Sequence, residues 1–139
     1  MIIKNGHIAL PGRREFVSLD IEINQGKIVT IGENLQGKEI LNASGLQIFP
    51  GAIDPHVHFD DPGFTDREDF YHGSCAAASG GVTTVIDMPC TSIPPVTSLQ
   101  NLQNKLDIVS KKSVIDFGFH GGISKQVFDK NYKKAIAEL

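Results

Sequence analysis

A chain of 139 residues with 40% hydrophobic and 21% charged residues has the make-up of an ordinary globular domain, which excludes disordered and fibrous architectures. Its formal charge is −3 and its basic residues are scattered apart from the pairs Arg13-Arg14, Lys111-Lys112 and Lys133-Lys134, so no basic stripe offers itself to nucleic acid. Cys75 and Cys90 lack metal-type spacing, which argues against a disulfide framework or zinc ribbon, and no apolar run reaches signal-peptide or membrane-spanning length; a cytoplasmic protein without a membrane partner is expected.

The first fifty residues read as β structure. Val17, Leu19, Ile21 and Ile23 alternate with Ser18, Asp20, Glu22 and Asn24, the period of a strand with one buried and one wet face. Gln25-Gly26 turns the chain into Lys27–Ile31, and further turn signals stand at Asn5-Gly6, Pro11-Gly12, Gly32 and Gly45. Residues 1–50 are therefore expected to form a small antiparallel sheet or half-sandwich.

After Pro50-Gly51 the rhythm becomes strand, helix, strand, helix. Ala52 to His58 is a short apolar run ending in polar residues, and Thr65 with Glu68 has the spacing of a capping box that opens a helix running to Gly80-Gly81. Val82 to Met88 is β-branched and continuous, as a strand buried on both faces requires. Thr97 and Gln100 offer a second capping box, with Leu99, Leu102, Leu106 and Val109 on one helical face. A third strand, Val114 to His120, leads through Gly121-Gly122 to a last helix capped by Ser124. Three successive βα units imply a parallel sheet, so residues 51–139 form an α/β unit.

His56 and His58 stand two apart on the first of these strands, so their side chains project from one face and can converge on a single ion. Two neutral imidazoles suit Zn²⁺ or a similar divalent metal. The pair alone is a weak signal, but it ends a strand that opens a βα array, the position at which βα-barrel enzymes hold their chemistry. His120 closes the third strand at the same end. Asp54 precedes the pair and could orient an imidazole or serve as an ordinary structural carboxylate. His7 and His72 read as surface residues.

The run Pro50-Gly51-Ala52-Ile53-Asp54-Pro55-His56-Val57-His58-Phe59 resembles the first barrel strand of the amidohydrolase superfamily, in the dihydroorotase, allantoinase and hydantoinase group. The likeness continues through Pro62-Gly63, Glu68-Asp69-Phe70, Ala76–Thr84 and Asp87-Met88-Pro89, and includes Gly26-Lys27-Ile28 and Ala43-Ser44-Gly45. The resemblance implies a (β/α)8 barrel of which residues 51–139 are the first three units, with residues 1–50 as part of a composite β-sandwich. It implies that His56 and His58 bind the more buried ion of a one- or two-metal Zn²⁺ centre. It places a bridging carboxylate or carbamylated lysine, two further histidines and a late, proton-shuttling aspartate after the third unit. The catalytic aspartate is thus expected outside these residues, and the chain by itself is expected to be inactive. The full-length parent is expected to be a homo-oligomer that hydrolyses a C–N bond of a small cyclic amide or ureide.

The resemblance also marks substrate-side positions. Dihydroorotases place an arginine two residues after the second histidine and an asparagine after the Met-Pro pair; Asp60 and Cys90 stand there in this chain. For His120 the resemblance implies a pocket-wall residue and not a ligand, with a hydrogen-bonded structural histidine as the equal alternative. Met88-Pro89, Thr91 and Pro94-Pro95 have the dihydroorotase pattern, Ser92–Pro95 and Gly121-Gly122 lean toward allantoinase, and Asp60 with Phe117–His120 leans toward hydantoinase. An acidic Asp60 would repel a substrate carboxylate, which favours a neutral ring. The overall motif set reads as dihydroorotase-like, with allantoinase or hydantoinase/dihydropyrimidinase activity as one alternative. A non-catalytic scaffold of the same fold is another, and retention of both histidines argues against it. A small α/β binding module unrelated to hydrolysis is a further reading, against which the exposed sheet edges argue.

Overall fold

In the computed structural model, which describes residues 1–128 and 132–139, the apolar opening of the chain becomes β1 (Ile2–Ile8). It pairs antiparallel with β2 (Val17–Asn24), which pairs antiparallel with β3 (Lys27–Gly32). Gln25 and Gly26 have φ of 49° and 73°, the left-handed conformation that a two-residue hairpin demands and a glycine meets without steric cost. β4 (Ile40–Asn42) and β5 (Gln47–Ile48) then lie parallel to β1 on its other side. The sheet is therefore mixed, where hairpin signals alone predict an antiparallel one. The reason is the segment 33–39, which carries the chain back so that β4 starts beside Ile2 and runs in the same sense as β1.

The alternation in β2 holds at Ile21, 4% exposed, and fails at Asp20, which is also buried. The Asp20 carboxylate accepts hydrogen bonds from the backbone N–H of Asn5 at 3.4 Å and of Leu35 at 3.0 Å and faces Lys4 Nζ at 3.7 Å. These partners offset the cost of removing it from water.

The chain divides into two units, Met1–Pro50 and Gly51–Leu139. The second is α/β. It holds a parallel sheet of β6 (Ala52–Val57), β7 (Val82–Asp87) and β8 (Asp116–Phe119) in that order. The connections contain α1 (Phe70–Ser79) and α2 (Leu99–Val109). The three strands finish level, since Met88 N donates to Val57 O and His120 N to Asp87 O, both at 2.9 Å. Helical segments α3 (Lys125–Phe128) and α4 (Tyr132–Ala137) follow; the part of the predicted last helix over 129–131 lies outside the described residues. Among the described residues no helix is long and apolar enough to cross a membrane.

Both predicted capping boxes are displaced. Thr65 and Glu68 precede the first helix, whose N-cap is Asp69, its carboxylate accepting from His72 N at 2.9 Å. Ser98 caps α2 by accepting from Asn101 N at 3.3 Å, while Thr97 is buried beside Pro95. In each case the oxygen one to four residues closer to the first helical turn reaches the free N–H groups better. The bond from the His72 backbone N–H, helped by the His72 ring, holds the Asp69 carboxyl below its ordinary value. Its contribution to stability is therefore present above the unfolded value of 3.8 and is lost as pH falls through the lower, folded value. Asp69→Ala is expected to destabilise the unit by about 1 kcal/mol near neutral pH. The deficit should shrink below pH 3.8, which urea titrations at two pH values would read.

The core of this unit is built around Phe70, which is fully buried. Its ring meets Phe59, Phe117 and Phe119 edge-on, with centroids 5.1, 6.0 and 5.9 Å away, the geometry that ring quadrupoles favour. Val85 and Val109 complete the buried cluster. At Gly73 a Cβ would lie 2.8 Å from the Phe59 ring, so α1 can approach Phe59 only with glycine there.

Candidate metal centre at the ends of the parallel strands

His56 lies in β6, and His58 is the first residue past its end, one position short of the strand predicted from sequence. Both are exposed. Residue alternation carries the two rings to the same side, where their Nε2 atoms stand 3.2 Å apart. Without an ion, one ring donates its N–H to the other's lone pair at this distance. Two nitrogens bound tetrahedrally at ~2.0–2.1 Å from Zn²⁺ stand about 3.3–3.4 Å apart. The pair therefore already has the bite of a chelate, and its borderline-soft donors fit a divalent transition metal. Among the described residues, no group of three or more His, Cys, Asp or Glu side chains converges as a metal site.

The neighbours fix the backbone more than the rings. Asp54 Oδ1 accepts from His56 N at 3.1 Å, so its carboxylate orients the main chain and not the imidazole. His120 stands just past β8, and its Nε2–H donates to Pro55 O at 3.1 Å, tying the third strand end to the first. Asp60 follows in the loop after β6, with Oδ2 3.6 Å from Arg67 Nε. Cys90 is an exposed free thiol in the 3-10 turn Pro89–Thr91 after β7. His72 pairs with Asp69 at 2.8 Å, and in the first unit His7 pairs with Ser18 Oγ at 3.1 Å.

Behind the histidines lies a buried layer in which motif reading names Asp87 but not its partner. Asp87 and Lys105 are 0% and 1% exposed and form an ion pair with Nζ 2.5 Å from Oδ2. The second oxygen of Asp87 accepts from Phe59 N at 2.7 Å. Burial pushes the Asp87 carboxyl above its ordinary value, while the Lys105 ammonium and the Phe59 N–H pull the other way. Asp61, 1% exposed, accepts from Phe70 N at 3.2 Å and Lys112 Nζ at 2.6 Å. A lysine placed three after Leu102 and four before Val109 is in phase with the apolar face of α2; that phase was the available signal.

A model of the amidohydrolase family matches residues 47–139. This chain belongs to the amidohydrolase family. An allantoinase from Desulfitobacterium hafniense (strain DSM 10664 / DCB-2) is 43% identical over 133 residues, covering 94% of this chain and 29% of that protein. A dihydroorotase from Methanosarcina mazei is 44% identical over 111 residues, covering 78% of this chain and 24% of its own length. Among solved structures, L-hydantoinase from Arthrobacter aurescens superposes with a TM-score of 0.84 at 28% identity, over 97% of this chain and 29% of that one. The chain thus spans under a third of the length of these amidohydrolases. The three names are those of three different cyclic amidohydrolases, so similarity alone leaves the ring undivided among them.

Proposed function

We propose that this chain supplies the two-histidine part of the metal centre of a cyclic amidohydrolase, an enzyme that hydrolyses a C–N bond in a five- or six-membered cyclic amide or ureide. The observation that carries the reading is the 3.2 Å approach of the His56 and His58 Nε2 atoms at the carboxyl end of a parallel strand in an amidohydrolase sequence. Carboxyl ends of parallel strands are where βα-barrel enzymes place their chemistry. In this reading β6, β7 and β8 are the first strands of such a barrel, and residues 1–50 belong to a composite β-sandwich.

A bound Zn²⁺ would polarise the ring carbonyl and make water nucleophilic near neutral pH. The residues of this chain hold and orient. His56 and His58 would turn their Nε2 atoms to the ion; Asp54 and His120 hold the backbone of β6 at His56 N and Pro55 O. By the family resemblance, Asp60, Cys90 and His120 would line the substrate side. Asp60 places a carboxylate where an anionic ring would need a cation, and Arg67, the nearby cation, stands 3.6 Å from that same carboxylate, so a neutral ring is favoured.

The test has two arms. Zn²⁺ or Co²⁺ titration of the chain should show binding that His56→Ala and His58→Ala each weaken at least tenfold; unchanged metal content in both variants would remove the ligand assignment. Ring-opening assays of the intact enzyme with a hydantoin, allantoin and dihydroorotate should favour one of the first two. A tenfold larger kcat/KM for dihydroorotate would overturn the neutral-ring reading, and no turnover of any of the three would favour a scaffold.

A further inference from the structure

We propose that Asp87 and Lys105 are positioning residues that set the main-chain position of His58, a role that rests on reading His56 and His58 as metal ligands. His58 is held between two hydrogen bonds to the neighbouring strand. On one side Val57 O accepts from Met88 N at 2.9 Å; on the other Phe59 N donates to Asp87 Oδ1 at 2.7 Å. The second of these is unusual, because a side chain and not the β7 backbone receives the N–H. It carries the grip of β7 two residues past Val57, where β6 ends.

An Asp87 carboxylate free to rotate would not serve. Its other oxygen is fixed by Lys105 Nζ at 2.5 Å, and the ammonium is itself caged, 5.7 and 5.2 Å from the centroids of Phe70 and Phe119. Residues from α1, α2, β7 and β8 thus converge on one bond to the residue after His58. Stability is a poor explanation for this arrangement, since a buried ion pair is commonly matched or exceeded by apolar side chains of similar volume. What apolar side chains cannot provide is an oriented acceptor for Phe59 N. Outer partners of this kind commonly change metal affinity by about 10- to 100-fold when removed.

The decisive comparison uses two charge-free variants, one with an oxygen acceptor at position 87 and one without. Lys105→Met/Asp87→Asn keeps an amide oxygen for Phe59 N, whereas Lys105→Met/Asp87→Leu removes it at similar volume, and neither leaves an unpaired buried charge. Amide exchange of Phe59 relative to Val85 is followed by NMR in the metal-free protein, and Co²⁺ affinity by its absorption spectrum. The first variant should stay within about threefold of wild type in both readouts. The second should exchange Phe59 at least tenfold faster with Val85 unchanged, and bind Co²⁺ at least tenfold more weakly. Equal Co²⁺ affinity and equal Phe59 protection in the two would overturn the proposal, as would acceleration of Phe59 and Val85 by the same factor. His56→Ala/His58→Ala separates the two readings: Co²⁺ binding unaltered in that variant removes the metal assignment, while the metal-free exchange comparison still decides whether Asp87 holds the strand end.

Discussion

Alanine in place of His58 is expected to lower kcat/KM of the intact enzyme by about 10³-fold or more, equivalent to about 4 kcal/mol in the barrier. The same loss is expected for His56→Ala, because on the proposed reading the two rings would bind the ion as one chelate. With one Nε2 removed, this chain would offer the ion a single imidazole, and the 3.2 Å bite that prepares two bonds at once would be gone. Catalytic zinc sites normally keep three protein ligands and one open position, so a site reduced by one ligand loses occupancy and geometry together. Both effects act on kcat/KM, and they separate experimentally. Excess Zn²⁺ in the assay restores occupancy but not geometry, so only part of the loss should be recovered. Full recovery at high Zn²⁺ would mean that the histidine serves affinity alone. An unchanged kcat/KM without added metal would mean that the pair is no ligand.

Phe70→Ala is expected to cost about 3–5 kcal/mol, the range for emptying a buried aromatic site. Phe70 is 0% exposed, touches three other aromatic rings edge-on and lies over the Lys105 ammonium. The cavity left behind would be lined partly by a buried charge, so collapse around it is hindered. A domain of this size has only about 5–15 kcal/mol of net stability, and the loss should bring the second unit near its unfolding midpoint under mild denaturant. Leu99→Ala gives the contrast. It lies on the face of α2 read from sequence as apolar, yet Leu99 is 52% exposed, and its change should fall within about 0.5 kcal/mol. Urea unfolding with an unchanged m-value would confirm that both numbers report the native state. Comparable losses in the two variants would show that α2 buries Leu99 in solution.

What could be read from residues alone was whatever depends on local periodicity and on short-range order. The β-rich opening, the change of rhythm at Pro50-Gly51, the β-branched strand Val82–Asp87 and the helix end at Gly80-Gly81 all follow from spacing and from φ preferences that a short stretch of chain carries within itself. So does the common side of His56 and His58, because alternation along an extended backbone is a property of the strand. Tertiary structure decided what depends on residues far apart in sequence. β4 and β5 join β1 in parallel because of where the chain returns, not because of any turn residue. Asp69 and Ser98 cap their helices in place of the boxes at Thr65 and Thr97 because packing sets where the first turn begins. Lys105, polar by composition and apolar by position, is buried because Asp87 lies 18 residues earlier on the strand it faces. A charge enters a core only when its partner is already there, and the partner is supplied by the fold.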